Sequence, residues 1–367
     1  MAGARKKKKK RRGSPLGRAL RTLYATVVVL SAIIVTTYAL FQILVPAPTV
    51  EQPPAPTASA SENPTDNPDT PDVDESTASP SQQTLERKEQ FYTFLLAASD
   101  QVSGNSDTIM VASYDVPNQK VALVSIPRDT LVNGKYGSHK YYKINSAYSY
   151  GGIEELRAVV ADMLGIPIDF YVTVDLKAFV EIVDAVGGVD FYVPVDMNYD
   201  ADDQNLHIHY DKGMHYGLTG QQVLEIARCR KNSDGPGTYP DNVYDVYAGS
   251  GTNREQTQRE LMVAIARKLV SWNSIPKITE FAEIVGENVK TNMSASDLAF
   301  FATRGIYVDI DNNVTTTIFP GNGEVSYKGW DWCWQYYPEE SLEIINTYLN
   351  PYTTDITMDM TNMFQVK

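Results

Sequence analysis

Thr108-Ile109-Met110-Val111-Ala112-Ser113-Tyr114-Asp115-Val116-Pro117-Asn118-Gln119-Lys120-Val121-Ala122-Leu123-Val124-Ser125-Ile126-Pro127-Arg128-Asp129 holds two apolar runs separated by turn chemistry. Each run is short and rich in β-branched residues, and Asp115 to Asn118 supplies the polar and proline residues that reverse a chain, so the stretch predicts a hairpin in a sheet core. Arg128 and Asp129 then stand at a strand end, where a side chain can reach a ligand. On the near side, Phe91 to Ala97 reads as another strand.

Downstream, Ile153 to Leu164 carries helical spacing at Leu156, Val159, Val160 and Met163 and stops at Gly165. Phe170 to Val174 returns to strand pattern, Leu176 to Val186 is helical up to Gly187-Gly188, and Val189 to Val193 is a strand again. Thr219 to Ile226 and Arg254 to Val270 read as further helices. This alternation predicts an α/β, or α+β layered, domain: a central mixed β-sheet flanked by helices.

The N-terminal end is of another kind. Ten of the 32 basic residues stand before Leu23 and no acid occurs before Glu51, so the remaining 22 basic residues face all 45 acids and the overall −13 averages two opposite regions. Leu23 to Val45 has no charge and, as a helix, is about 35 Å long, enough for a bilayer. The expected organisation is a basic cytoplasmic tail (1–22), a transmembrane helix (23–45), a disordered linker (46–85) and an extracytoplasmic domain (86–367), oriented by the positive-inside rule. The polybasic tail is expected to meet anionic membrane lipid rather than nucleic acid. A cleaved signal peptide is the competing reading, but its apolar core usually runs only about 7–15 residues. The linker holds nine prolines, and no aromatic stands between Phe41 and Phe91, a composition that cannot offset the entropy of ordering.

Two cysteines, Cys229 and Cys333, are too few for a disulfide framework and are paired or both free. Four histidines without metal-ligand spacing argue against zinc, so His207 and His209 read as strand-face or loop residues. No Walker loop, dinucleotide fingerprint or Gly-x-Ser-x-Gly occurs. What stands out is arginine. Five of the nine arginines beyond the apolar segment fall in three short motifs: Arg128, then Arg228 and Arg230, then Arg254 and Arg259. Planar, permanently charged guanidinium forks grip phosphate oxygens in pairs, so a phosphate or pyrophosphate site is expected.

In an extended stretch, Arg228 and Arg230 would project to one face, whereas a continuing helix would splay them. Arg254 falls near a helix start, where free amides also favour an anion. Asp107 and Asp129 at neighbouring strand ends can hold Mg²⁺, or each can cap its own turn. Arg128 can equally serve a structural ion pair. Lys143 reads as a phosphate contact or a loop charge, and Arg259 and Arg267 read as exposed helix positions. The Tyr239 to Tyr247 loop and Trp330-Asp331-Trp332-Cys333-Trp334 stack sugars or pack a core, with core the default for tryptophan.

In order, Ser106-Asp107-Thr108, Ser125-Ile126-Pro127-Arg128-Asp129-Thr130, Lys143-Ile144-Asn145-Ser146-Ala147-Tyr148 with Gly151-Gly152, Gly165 to Asp169, Val183 to Val189 and Leu218-Thr219-Gly220 through Arg228-Cys229-Arg230 resemble the LytR-CpsA-Psr family across roughly residues 90 to 350. The resemblance implies a membrane-anchored, Mg²⁺-assisted phosphotransferase. Its substrates would be an anionic or capsular glycopolymer on a polyprenyl-pyrophosphate carrier and a peptidoglycan hydroxyl, with a hydrophobic pocket for the lipid tail. It assigns Asp107 and Asp129 to the metal, and Arg128, Arg228, Arg230, Arg254 and Lys143 to the pyrophosphate. The alternatives are a polyprenyl-pyrophosphate pyrophosphatase and a non-catalytic wall-polymer binder. The chain departs from the family pattern where Gly251 replaces an aspartate and Thr257-Gln258 replaces Arg-Gln. Asp241 or Asp245 in the Lys231 to Gly251 insert is the expected substitute.

Overall fold

The structure, a computed structural model, describes residues 46–50, 85–99, 106–202, 206–230, 232–233, 252–271, 289–364 and 366. The expected tail, membrane segment and most of the linker lie outside these residues, as do Gly251, Asp241, Asp245 and the Tyr239 to Tyr247 loop. Among the described residues no helix is long and apolar enough to cross a membrane. The chain divides into two compact units, one of residues 1–48 and 295–303 and one of residues 49–294 and 304–367. In the first, the described part is 46–48 and a helical stretch, 295–303.

The second unit is built on the predicted hairpin. β1 (Phe91–Ser99), β2 (Ser106–Asp115) and β3 (Lys120–Ser125) form consecutive antiparallel pairs, with Met110 opposite Ser125 and Asp115 opposite Lys120 across the turn. Leu95, Val111 and Val124 are completely buried. Each contributes about 1.5–3 kcal/mol relative to exposure. β4 (Leu131–Tyr136) and β5 (His139–Lys143) make a second hairpin beside it.

Helix α1 (Asn145–Leu164) starts eight residues before the predicted Ile153. Gly152, at φ 68° and ψ −156°, kinks it into two parts. Its end at Gly165 is as predicted. Gly165 has φ +69°, and a Cβ there would sit 2.5 Å from the Met360 carbonyl oxygen, so only glycine fits.

β6 (Phe170–Asp175) runs parallel to β1. α2 (Leu176–Ala185) is capped by Asp175, whose carboxylate accepts from the Ala178 amide at 2.7 Å. β7 (Val189–Val193), β8 (Met197–Ala201), β9 (Leu206–Tyr210) and β10 (Gly213–Leu218) pair as two hairpin-like ribbons, β7 with β10 and β8 with β9. α3 (Gly220–Arg228) and α4 (Thr252–Val270) pack against these ribbons through Val223, Ile226, Leu261 and Ile265.

β11 (Val289–Thr291) and, after α5 (Ala295–Gly305) and the short α6 (Ile310–Asn313), β12 (Val314–Ile318) complete the central sheet. The strand order is β11-β6-β1-β2-β3-β12, mixed because β1/β6 and β3/β12 are parallel while the other pairs are antiparallel. A last hairpin, β13 (Gly321–Tyr327) and β14 (Trp330–Tyr336), and α7 (Pro338–Ile344) close the chain. A first core lies between sheet, α1 and the C-terminal elements, and a second among α2, α3, α4 and the ribbons.

Candidate active site

The site begins where β3 runs out. The Ile126 amide still donates to the Ile109 carbonyl at 2.9 Å, and then Pro127 ends the ladder. A tight turn follows, in which the Thr130 amide and hydroxyl both donate to the Pro127 carbonyl, at 2.9 and 2.6 Å. Both flanks are pinned. The Arg128 carbonyl accepts from the Asn145 amide at 3.2 Å, and the Asp129 carbonyl from the Trp334 amide at 2.9 Å. With its backbone satisfied on two sides, the corner presents half-buried Arg128 and Asp129 side chains.

Their charges interleave with a third. Asp129 Oδ2 accepts from Arg128 Nε at 3.3 Å, and Oδ1 lies 3.1 Å from Lys143 Nζ. Lys143 also donates to the Asp331 carbonyl at 2.9 Å. The ion-pair reading of Arg128 is therefore realised with its own neighbour, and Lys143 sits at the site rather than in a detached loop. Cys333 is nearby and buried, and burial raises its thiol pKa despite the adjacent lysine, which keeps it protonated and non-nucleophilic. Cys229 is also buried, and neither is in a disulfide.

A second group assembles at the same sheet end. Gln258 on α4 donates to the Ala227 carbonyl at 3.1 Å and faces the Thr108 hydroxyl at 3.4 Å. One side chain thus joins the end of α3, the start of β2 and the first turns of α4. Arg228 adjoins Ala227, Asp107 adjoins Thr108, and Arg254 is one helical turn ahead of Gln258, with its Nε buried. Because β2 is antiparallel to β3, the Asp107 backbone lies at the end from which Pro127 to Asp129 emerge.

One open reading is decided here and one expectation is corrected. The helix runs through Arg228, and the chain turns extended only at the buried Cys229 (φ −61°, ψ 123°), so Arg228 and the exposed Arg230 are not two residues of one strand face. Arg259 is not an exposed helix position. It is 5% exposed and donates from Nη1 to Ser125 Oγ at 3.0 Å, under the corner that carries Arg128. Periodicity missed it because α4 is buried on two sides, between the second core and the sheet, and a polar residue opposite an apolar stripe normally faces water. Arg267 is exposed as expected, paired with Asp311 at 2.6 Å.

Beyond Arg230 the chain is tied down: Asn232, 1% exposed, accepts from the Asn198 amide at 2.9 Å. His207 and His209 are strand-face residues of β9, both against Asp200. Among the described residues no group of three His, Cys, Asp or Glu is placed to hold a metal. Mg²⁺ commonly uses only one or two carboxylates, completing its shell with water and substrate phosphate, so Asp129 beside the start of β2 has the donor chemistry for it. Beneath the corner, Ile126, Thr130, Met163, Leu164, Phe319 and Tyr336 line a cavity of about 10 Å³. That is room for about one water, far below the roughly 300–1,000 Å³ of ordinary ligand pockets, and does not provide the expected lipid-tail pocket.

The sequence profile of the LytR_cpsA_psr family matches residues 57–349. The polyisoprenyl-teichoic acid–peptidoglycan teichoic acid transferase TagU of Bacillus anthracis is 33% identical over 240 residues, which are 65% of this chain and 70% of that protein. TagV of Bacillus subtilis, named for the same transfer, is 37% identical over 199 residues, 53% of this chain and 46% of its own length. The crystal structure of Bacillus subtilis TagV superposes with a TM-score of 0.57 at 26% identity, covering 70% of this chain and 95% of that one.

Proposed function

Since the chain belongs to the LytR-CpsA-Psr family, we propose that it is a phosphotransferase moving an anionic or capsular glycopolymer from a polyprenyl-pyrophosphate carrier onto a peptidoglycan hydroxyl. What supports this reading is the pairing of Arg128 and Lys143 with the carboxylate of Asp129 at the corner after β3, together with Gln258, which ties the residue next to Arg228 to the helical turn that follows Arg254. The transfer named for TagU and TagV is chemistry that such a set can perform.

The acceptor oxygen attacks the polymer-proximal phosphorus, and the bond from that phosphorus to the bridging oxygen breaks. The acceptor proton passes to Asp129, and polyprenyl phosphate leaves. Arg128, Arg228, Arg230 and Arg254 hold the pyrophosphate oxygens and offset the charge that grows on the equatorial and leaving oxygens. Lys143 orients Asp129 through their 3.1 Å contact. Mg²⁺, when bound by Asp129 and Asp107, would supply Lewis-acid stabilisation of phosphate charge. Residues 23–45 would anchor the chain in the cell membrane with the tail cytoplasmic and the catalytic part outside, next to both a lipid-borne donor and the wall.

The full-length chain, given a polyprenyl-pyrophosphate-linked polymer and a peptidoglycan oligosaccharide, is expected to form covalent product. Arg228→Ala should lower the rate by at least about 100-fold, the scale of losing one charge-stabilising donor, with thermal unfolding unchanged. Product formation at the normal rate by that variant would remove Arg228 from the reaction. Release of polymer phosphate without acceptor, and no product with it, would make the protein a pyrophosphatase.

A further inference from the structure

The three tryptophans of β14 have different fates: Trp334 is 5% exposed and belongs to the core, whereas Trp330 is 55% and Trp332 69% exposed. The cause is a bulge. Val325 pairs with Cys333 and Tyr327 with Trp330, so Asp331 and Trp332 together oppose Ser326, whose hydroxyl donates to Asp331 Oδ1 at 2.5 Å. The extra residue puts Trp332 at φ +58°, a left-handed conformation that a bulky side chain adopts only at a cost. Two unfavourable choices, backbone strain and an apolar ring in water, thus coincide at one residue, and neither helps the fold.

The hairpin is also fixed to the catalytic corner. Lys143 Nζ lies 2.9 Å from the Asp331 carbonyl, 6.0 Å from the centre of the Trp330 ring and 3.1 Å from Asp129 Oδ1. Tyr327 meets Tyr142 edge-on at 5.4 Å, and Lys328 lies 4.6 Å above Tyr142. One lysine therefore separates an exposed indole from the carboxylate assigned to take the acceptor proton.

We propose that Trp330 and Trp332 form a saccharide platform that seats the sugar rings of the acceptor glycan; this rests on the transferase reading above. Flat indole faces match the C–H faces of pyranose rings, and exposed Glu324, Asp331 and Lys328 alongside can bond their hydroxyls. Glu324 and Asp331 disfavour the anionic donor polymer there, which leaves the acceptor as occupant. A platform of this kind sets which acceptors are used, while the arginines hold the donor.

The test uses the full-length chain in nanodiscs and an N-acetylglucosamine–N-acetylmuramic acid tetrasaccharide, with no donor present. Calorimetric titration should show binding that weakens at least tenfold in the double variant Trp330→Ala/Trp332→Ala. In transfer assays the KM for acceptor should rise, with kcat and the KM for donor unchanged. Trp332→Gly should raise Tm by removing strain while still weakening binding, so misfolding cannot explain the loss; Trp332→Phe should retain part of it. Absence of tetrasaccharide binding by the wild type, or binding within twofold in the double variant, overturns the platform even if transfer proceeds. Tryptophan-dependent binding without any transfer leaves the platform standing and defeats the transferase reading. Quenching of Trp332 fluorescence by brominated lipid would give the surface to the membrane and overturn the proposal.

Discussion

Arg87 and Asp169 form an ion pair among side chains that are 6% and 3% exposed, and the same carboxylate accepts from the Thr93 amide at 2.9 Å. Burial raises the Asp169 pKa, and Arg87 and the Thr93 donors pull it back only in part. A carboxyl whose folded pKa exceeds its unfolded one favours the fold below the unfolded value, and that contribution is lost as pH rises through the folded value. Arg87→Ala strands the charge, so it should destabilise the protein by about 3–5 kcal/mol at pH 7. The loss should shrink as pH falls and Asp169 takes up its proton; denaturant unfolding at neutral and at acid pH measures it, and an equal loss at both would contradict the assignment. This pair also limits what a motif can say. Gly165 to Asp169 is one of the blocks carrying the family resemblance, yet its aspartate fastens β1 to the turn before β6 and lies in no catalytic contact. Arg128 and Asp129 were legible because the strand-patterned run from Lys120 to Ile126 ends just before them, which puts both at a strand end. Lys143 was ambiguous because its partners, Asp129 and Asp331, lie 14 and 188 positions away in sequence.

At the scale of elements, legibility followed period and burial. β1, β2, β3, β6 and β7 are half or fully buried runs with a clear apolar signature, and they appear where expected. β8 and β9 did not stand out because each mixes polar residues with one buried face. Their ribbon has its own chemistry: His207 Nδ1 lies 2.7 Å and His209 Nε2 3.2 Å from Asp200 Oδ1, and His209 Nδ1 lies 2.8 Å from Asn198 Oδ1. The Asp200 hydrogen bond raises the His207 pKa, with Asp202 and Glu225 adding to it, and lowers that of Asp200. A raised histidine stabilises the ribbon below its unfolded value, near 6.5, and that help disappears as pH rises through the folded value. An NMR titration should therefore place His207 above 6.5 and return it toward that value in Asp200→Asn; unchanged titration in the variant would mean that the pair does not form. The α3 to Arg230 segment was half legible. Its capping box, Thr219 with Gln222, marks the helix start in the sequence, but nothing there fixes where the helix yields to Cys229, because burial of that thiol decides it.

Over the whole molecule, charge is distributed against the proposed substrate. Beyond Leu23 the chain has 22 basic and 45 acidic residues, while the proposed donor is a polyanion and only a few arginines are proposed to bind it. Long-range repulsion and short-range attraction then act on different steps. The field of the acidic surface opposes approach and is screened within about 10 Å at 0.1 M salt, whereas guanidinium contacts form only after arrival and are partly shielded from solvent. With the full-length chain in nanodiscs, which place the basic tail across the bilayer if residues 23–45 span it, the association rate of the polyanionic donor should rise severalfold as salt goes from about 10 to 150 mM. Its dissociation rate should rise as well, as arginine-phosphate contacts weaken. The uncharged sugar portion of an acceptor should show neither change. Stopped-flow measurement separates the two rates, and an association rate that falls with salt would mean that the local arginine field reaches past the acidic surface and governs the encounter. In that event the net charge of the chain would be irrelevant to capture, and the arginine cluster alone would both attract the donor and hold it.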